Sequence, residues 1–462
     1  MARHRSDPLT RPGLYAILLG LFLCTLWIAG GASRADALGQ VVVRSAAAIV
    51  LAVAALFGNR PALRPVRPVA LLLVAALSLA LLQLVPLPPD IWLALPGRAP
   101  FAEAAAASGQ PQPWRPWSIV PGATANSVAA LIVPITTLIL VAGLRDHERR
   151  WLPGMMLCLI VAATLIGLLQ FSGAGFDNPF VNDDLGQVAG TFANYNHFAL
   201  LLAMGCLLAP VWGFSNGGSP GWRAAVAAGL LILFTLTVLA SGSRAGTALS
   251  GIALVIGLVL VRRPISQALS RYPRWVFPAM VAAIIGLIAI LVLVSIASDR
   301  AISINRAITV DPWQDMRRRG LPTVLEMVRT YFPFGTGLGS FDPLFRMHEP
   351  FDLLKPTYFN HAHDDLLEIV LDAGLPGLLL LLAALAWWGR SSLRAWRAGP
   401  AMRHALPRLG SAMLLLVLLA SVIDYPARTP IMMALIVIAA VWLGDRNGGR
   451  STPALPEPDQ HL

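Results

Sequence analysis

The chain has 462 residues, 56% of them hydrophobic and 13% charged, with a mean hydropathy of +0.67. This excludes a soluble domain around one core and points to an integral membrane protein. A formal charge of +11 would suggest nucleic acid in a soluble protein; here it is read as arginine on cytoplasmic loops, and no nucleic-acid partner is expected.

At the N-terminus, Arg3, Arg5 and Arg11 precede an apolar run from Leu14 to Ala29, and Ala35-Asp36-Ala37 resembles a cleavage site. The run is long for a signal peptide and further spans follow, so an uncleaved first helix is expected. Twelve apolar spans are read in all, near 14–30, 38–57, 69–87, 125–144, 152–172, 193–214, 222–240, 245–261, 275–297, 364–388, 409–423 and 430–443. Ser241-Gly242-Ser243-Arg244 joins the seventh and eighth as a tight hairpin. Cys24, Cys158 and Cys206 lie in apolar segments without a pairing pattern, so no disulfide is expected.

Lys355 is the only lysine among 35 basic residues. With the N-terminus inside, inner segments hold 21 of these residues and outer segments 13, eight of them in one loop, 298–363. Arg44 alone lies within a span. The asymmetry fits an even number of spans with both termini in the cytoplasm. The chain then divides into helices 1–9 over 1–297, with an outer loop at 88–124; a large outer loop at 298–363; helices 10–12 over 364–443; and a polar, Pro-rich tail at 444–462, expected to be disordered. Trp92, Trp114 and Trp117 in the first outer loop suit an interfacial belt or a sugar-stacking surface. The loop 298–363 is long enough to be functional, and Thr323 to Thr330 is expected to form a short helix within it.

Four polar clusters fall on the outer side, where ionisable groups at a membrane boundary are candidates for function. Asn194, Asn196 and His197 start the sixth span; they can bind hydroxyls or join helices by hydrogen bonds. Arg244 follows small residues at a hairpin, a place suited to gripping a phosphate in bidentate fashion rather than only snorkelling. Arg317-Arg318-Arg319 runs against the positive-inside trend and implies a use, with anionic lipid headgroups as the plainer one. His361-Ala362-His363-Asp364-Asp365 admits three readings. One is a general base, for which imidazole is suited near neutral pH. A metal site is disfavoured, because Leu366 stands where a further histidine would be needed. A capped helix start, with the two aspartates at its positive end, fits as well. Glu368 and Asp372, four apart, share a face of the helix that follows.

At these residues the chain resembles the O-antigen ligase and O-antigen polymerase superfamily. The resemblance rests on GTGLGSF at 335–341 and NHAHDDLLEIVLDAGLPG at 360–377, supported by GTFANYNHFA at 190–199, SGSRAG at 241–246 and DYPARTP at 424–430. One departure is Asp364, where asparagine is commoner. The resemblance implies an all-α polytopic membrane protein of GT-C type, with about twelve transmembrane helices and a large periplasmic loop between helices 9 and 10. It implies an inverting, metal-independent glycosyltransferase of the inner membrane, acting on the periplasmic side without a cofactor. The donor would be a glycan on undecaprenyl diphosphate, and the acceptor a glycan or lipid A-core. His363 would be the base, with His361 second. Arg244 and Arg319, with Arg318 and Arg428, would hold the diphosphate; Asn194, Asn196, Tyr358, Asn360 and Asp364 would contact substrate. Glu368, about 7.5 Å further along the helix than His363, would order the site rather than act directly. The rival readings are a secondary transporter of a polysaccharide precursor or other solute, which twelve spans and buried acids also suit, and a membrane scaffold.

Overall fold

In a bilayer no water is available to a backbone amide, so apolar runs close their hydrogen bonds within helices. The computed structural model follows this rule. It describes residues 11–173, 178–181, 187–214, 221–269, 316–354, 359–399 and 404–445, with isolated positions at 273, 275 and 286.

The apolar helices are α1 (Leu14–Ala29), α2 (Leu38–Phe57), α3 (Arg67–Leu82), α4 (Pro121–Ala130), α5 (Ile132–Gly143), α6 (Leu152–Phe171), α7 (Tyr195–Gly213), α8 (Trp222–Ser241) and α9 (Arg244–Leu269). Beyond them come α10 (Met316–Tyr331), α11 (Phe341–His348), α12 (Asp365–Arg397), α13 (Ala405–Ser421) and α14 (Pro430–Gly444). Proline sits in the first two positions of α3, α4, α6 and α14, where its missing N–H costs no helical bond. α8 ends on Gly242 at φ +76°, the left-handed stop that lets α9 begin two residues later.

Seven helical segments among the described residues are long and apolar enough to cross a membrane: α2, α4 with α5, the stretch ending in α6, α7, α8, α9 and α12. Shorter apolar helices are α1, α3, α13 and α14. The chain is thus an all-α, multi-pass membrane protein. The expected ninth span, 275–297, lies almost wholly outside the described residues. The span expected at 125–144 is two helices, α4 and α5, meeting at Leu131. The span expected at 364–388 continues to Arg397 and is broken at Gly374.

α7 lies at the centre, with 89% of its apolar window buried against 28–44% for the other spans. It packs on α6, α8, α9 and α13. Outward faces stay apolar, as at Leu56, Val255 and Leu379, because lipid is their solvent.

Both long loops contain structure among the described residues. Segment 83–120 holds short helices at Pro89–Leu93 and Ala99–Ala107. Two short antiparallel strands, β1 (Pro86–Leu87) and β2 (Arg115–Pro116), pair Pro86 with Pro116. The loop helix expected at Thr323–Thr330 is the longer α10, and α11 was not expected. Val324, Met327 and Tyr331 of α10 join Phe341, Leu344 and Phe345 of α11 and Leu371 of α12 in a second, smaller core.

The break in α12 explains the Gly-rich stretch before it. Gly374 has φ +59° and ψ −145°, and a Cβ there would lie 2.1 Å from the Pro333 carbonyl oxygen. Carbonyls released by the break find new donors: Thr336 N bonds Leu371 O (3.0 Å), and Gly337 N bonds Asp372 O (2.8 Å). Gly337 has φ +104°, and a Cβ there would strike the Ser118 hydroxyl. Arg98, buried, donates Nη2 to Trp117 O (3.0 Å) and Gly335 O (3.1 Å), tying segment 83–120 to this loop.

Candidate active site

Five connections meet at one end of the bundle: the loop before α7, the α8–α9 hairpin, residues 359–364 before α12, the α13–α14 connection, and the α1–α2 loop. The last is attached through Gly31 O, which accepts from Ala193 N (3.2 Å), and Gly30 O, which accepts from Ile431 N (3.2 Å).

The first layer is ionic. Asp365, Glu368 and Asp372 fall on one face of α12, at spacings of three and four, and all three are buried. Arg428 reaches them from the α13–α14 connection. Its Nε donates to Asp365 Oδ1 (3.0 Å), its Nη2 lies 3.1 Å from Glu368 Oε1, and its Nη1 lies 3.9 Å from Asp372 Oδ2. Its side chain is 19% exposed. Burial works against the guanidinium charge, but the carboxylates of Glu368 and Asp365 prevail and hold its pKa above the ordinary value. The acids have further donors. Ser421 Oγ (3.1 Å) and Ala427 N (3.2 Å) bond Asp365, Ala362 N bonds Glu368 (2.7 Å), and Gly339 N bonds Asp372 (2.9 Å).

The second layer is the histidine loop. His361 Nδ1 donates to Glu368 Oε1 (3.0 Å). Glu368 therefore does bond one of the histidines directly, because residues 359–363 fold back over the helix start. His363 sits at φ +55°, a strained position for a side chain with a Cβ. Its Nδ1 lies 2.9 Å from the His361 carbonyl oxygen. A carbonyl can only accept, so Nδ1 carries the hydrogen and the neutral ring presents Nε2 as its lone pair. The ring packs against Phe359 (centroids 4.7 Å) and edge-on to Tyr425 (5.0 Å). Phe359 extends a stack through Phe345 to Phe341, so α11 supports the histidine. Asp364 caps α12, its Oδ1 accepting from Leu367 N (2.9 Å).

The third layer centres on Asp424 and Tyr425. Asn196 Nδ2 donates to Asp424 Oδ2 (2.8 Å), Asn194 Nδ2 lies 3.4 Å from Oδ1, and His197 Nε2 lies 3.5 Å from Oδ1. Asn196 Oδ1 accepts from Ser243 Oγ (2.7 Å), which brings the hairpin to the same network. Tyr425 stands between the rings of His197 (5.1 Å), His361 (4.4 Å) and His363 (5.0 Å), and Asn360 Nδ2 reaches its hydroxyl (3.4 Å).

Residues 229–382 match the family model described as O-antigen ligase. Over these residues the chain is similar to the O-antigen ligase family. This supports the O-antigen ligase and polymerase superfamily, and with it glycosyl transfer of ligase or polymerase type in general. No curated protein matches the chain. The O-antigen ligase match includes Arg244, Arg318, Arg319, both loop histidines and the acids of α12. Asn194, Asn196, Asp424 and Arg428 lie beyond it.

The expected site residues are thus only partly gathered. His361, His363, Asn360, Asp364, Asn194, Asn196 and Arg428 meet around Tyr425 and the start of α12. Arg244 is the exposed first residue of α9, next to Ser243 of the network. Arg319 is bonded to Asp352 at 3.0 Å, and Arg318 is exposed beside it. Tyr358 lies outside the described residues. Asp424 and Tyr425 were legible only as part of the DYPARTP match. Their importance comes from contacts to residues more than 50 positions away.

Proposed function

We propose that this site transfers a glycan from undecaprenyl diphosphate to a sugar hydroxyl, at the periplasmic face of the inner membrane, with inversion. The observation that supports this most is His363. Its Nδ1–H is fixed on a carbonyl, which sets Nε2 as proton acceptor, and its backbone is strained as functional residues often are.

In this reading the acceptor hydroxyl gives its proton to His363 Nε2 as its oxygen attacks the anomeric carbon. The bond from that carbon to the diphosphate oxygen breaks, and lipid diphosphate leaves with the electron pair. Guanidinium groups are suited to the growing charge because they bind phosphate bidentately. Arg244, exposed at the hairpin, and Arg319 with Arg318 are the groups assigned to it. Arg428 is already surrounded by three carboxyl groups. We assign it instead to holding Glu368, and through Glu368 the histidine loop. Asn194, Asn196 and Asn360 are placed to meet sugar hydroxyls, and Tyr425 offers an aromatic edge among them. The acceptor, a glycan or lipid A-core, distinguishes polymerase from ligase.

The test is incubation of purified protein in detergent with an undecaprenyl-diphosphate oligosaccharide and acceptor, with EDTA present. Loss of lipid-linked sugar with gain of a glycosylated acceptor is the expected result. An unconsumed donor across glycan and lipid A-core acceptors would overturn the proposal.

A further inference from the structure

One arginine, Arg44, lies well inside a span. Arg44 lies six residues into α2, about 9 Å from its start. Its Nη1 donates to Asn126 Oδ1 (2.7 Å) and its Nη2 to Gln40 Oε1 (3.2 Å). Its Nε is buried and has no hydrogen-bond partner. Among the described residues no carboxylate pairs with it. The two amides orient the guanidinium but leave its charge uncompensated, which is costly within a span.

The partners of Arg44 belong to the frame of the active site. Gln40 Nε2 donates to Ala32 O (2.7 Å), in the loop whose Gly31 holds Ala193, the neighbour of Asn194. Asn126 is on α4, whose Ala123 and Ser127 close on Gly339, the donor to Asp372. Arg44 therefore sits at the site end of the bundle, between the two segments that wall the site. α2 also borders lipid: Val41 and Ile49, on either side of Arg44, are each 62% exposed.

We propose that Arg44, with Asn126 and Gln40, forms a site for the phosphate group of a membrane lipid beside the active site. Phosphate supplies the missing charge and matches the guanidinium fork. Lysine in this place would offer a point charge only. A lipid is the source because the residue lies within a span whose neighbouring side chains face the bilayer. The inference goes beyond glycan transfer, since a polyprenyl phosphate and a phospholipid share the chemistry.

The test is native mass spectrometry of delipidated full-length protein in detergent. It is titrated separately with undecaprenyl phosphate, phosphatidylglycerol and undecaprenol, which lacks phosphate. Wild type is expected to retain one or both phosphate lipids and not undecaprenol. Arg44→Gln should weaken that retention by about tenfold or more, the scale of one charge-assisted contact. The arm that loses affinity identifies the source. Arg44→Lys, which keeps the charge but not the fork, should bind more weakly than wild type and serves if the glutamine variant does not fold. A merely structural role would lower thermal stability equally with and without lipid. Equal retention of both phosphate lipids by wild type and variants would overturn the proposal. Because binding is the readout, that failure would leave the transfer reading untouched.

Discussion

Arg428→Gln separates two roles for this arginine. If it holds diphosphate, the free protein scarcely needs its charge. If it anchors α12, the charge matters before any substrate binds. Removing one member of a buried ion pair costs about 3–5 kcal/mol. The lower end applies here, because each acid keeps neutral donors: Ser421 and Ala427 at Asp365, Ala362 and His361 at Glu368, Gly339 at Asp372. We therefore expect a loss of about 3 kcal/mol, measured as unfolding free energy in mixed micelles without substrate. Glu368→Gln in the same background removes one of the stranded charges. The double variant should recover part of the loss, a coupling of about 0.5–3 kcal/mol. A change under ~0.5 kcal/mol for Arg428→Gln, additive with Glu368→Gln, is what an ordinary surface position gives and would refute the anchoring role.

Gly374→Ala places a Cβ 2.1 Å from the Pro333 oxygen at φ +59°, so misfolding or a loss of at least ~3 kcal/mol is expected in the same unfolding assay. Asp364→Asn keeps the oxygen that accepts from Leu367 N and should unfold like wild type, whereas Asp364→Ala should lose about 1 kcal/mol. His348 is pushed below its ordinary pKa of 6.5 by burial, with Glu326 opposing, and its Nε2 is 3.0 Å from the Tyr331 hydroxyl. The folded form thus resists protonation. Its contribution to stability is full above pH 6.5 and falls as the pH drops below that value. Hydrogen exchange over Phe341–His348 should accelerate between pH 7 and 5 beyond the intrinsic rate, and His348→Gln should abolish that dependence.

The apolar spans were legible because bilayer solvation forces long apolar runs to be helical. Breaks within them were not, since Leu131 and Gly374 differ little in hydropathy from their surroundings. α10 reads shorter in the sequence than it is, because Arg317-Arg318-Arg319 and Pro322 look like loop. α11 buries three residues in only eight, too short a pattern to separate from loop. The spacing of Glu368 and Asp372 marks one face, but nothing local adds Asp365 to it or pairs these acids with Arg428, which lies 56 or more positions from each. Glu368 reads as a residue that orders the site, but its bond to His361 is not legible, because residues 359–363 are not helical and fold back over the helix start. Asp424 had the weakest signal, a single acid at the end of an apolar run, yet it gathers Asn194, Asn196 and His197.

The most direct measurement is single-turnover transfer from an undecaprenyl-diphosphate oligosaccharide by His363→Gln and His361→Gln beside wild type. A general base is worth about 10²–10⁴-fold, so His363→Gln should slow the transfer step by that factor with donor binding retained. His361→Gln, which disturbs the loop through Glu368, should slow it less. Equal single-turnover rates for wild type and His363→Gln would contradict the assignment of His363 as base.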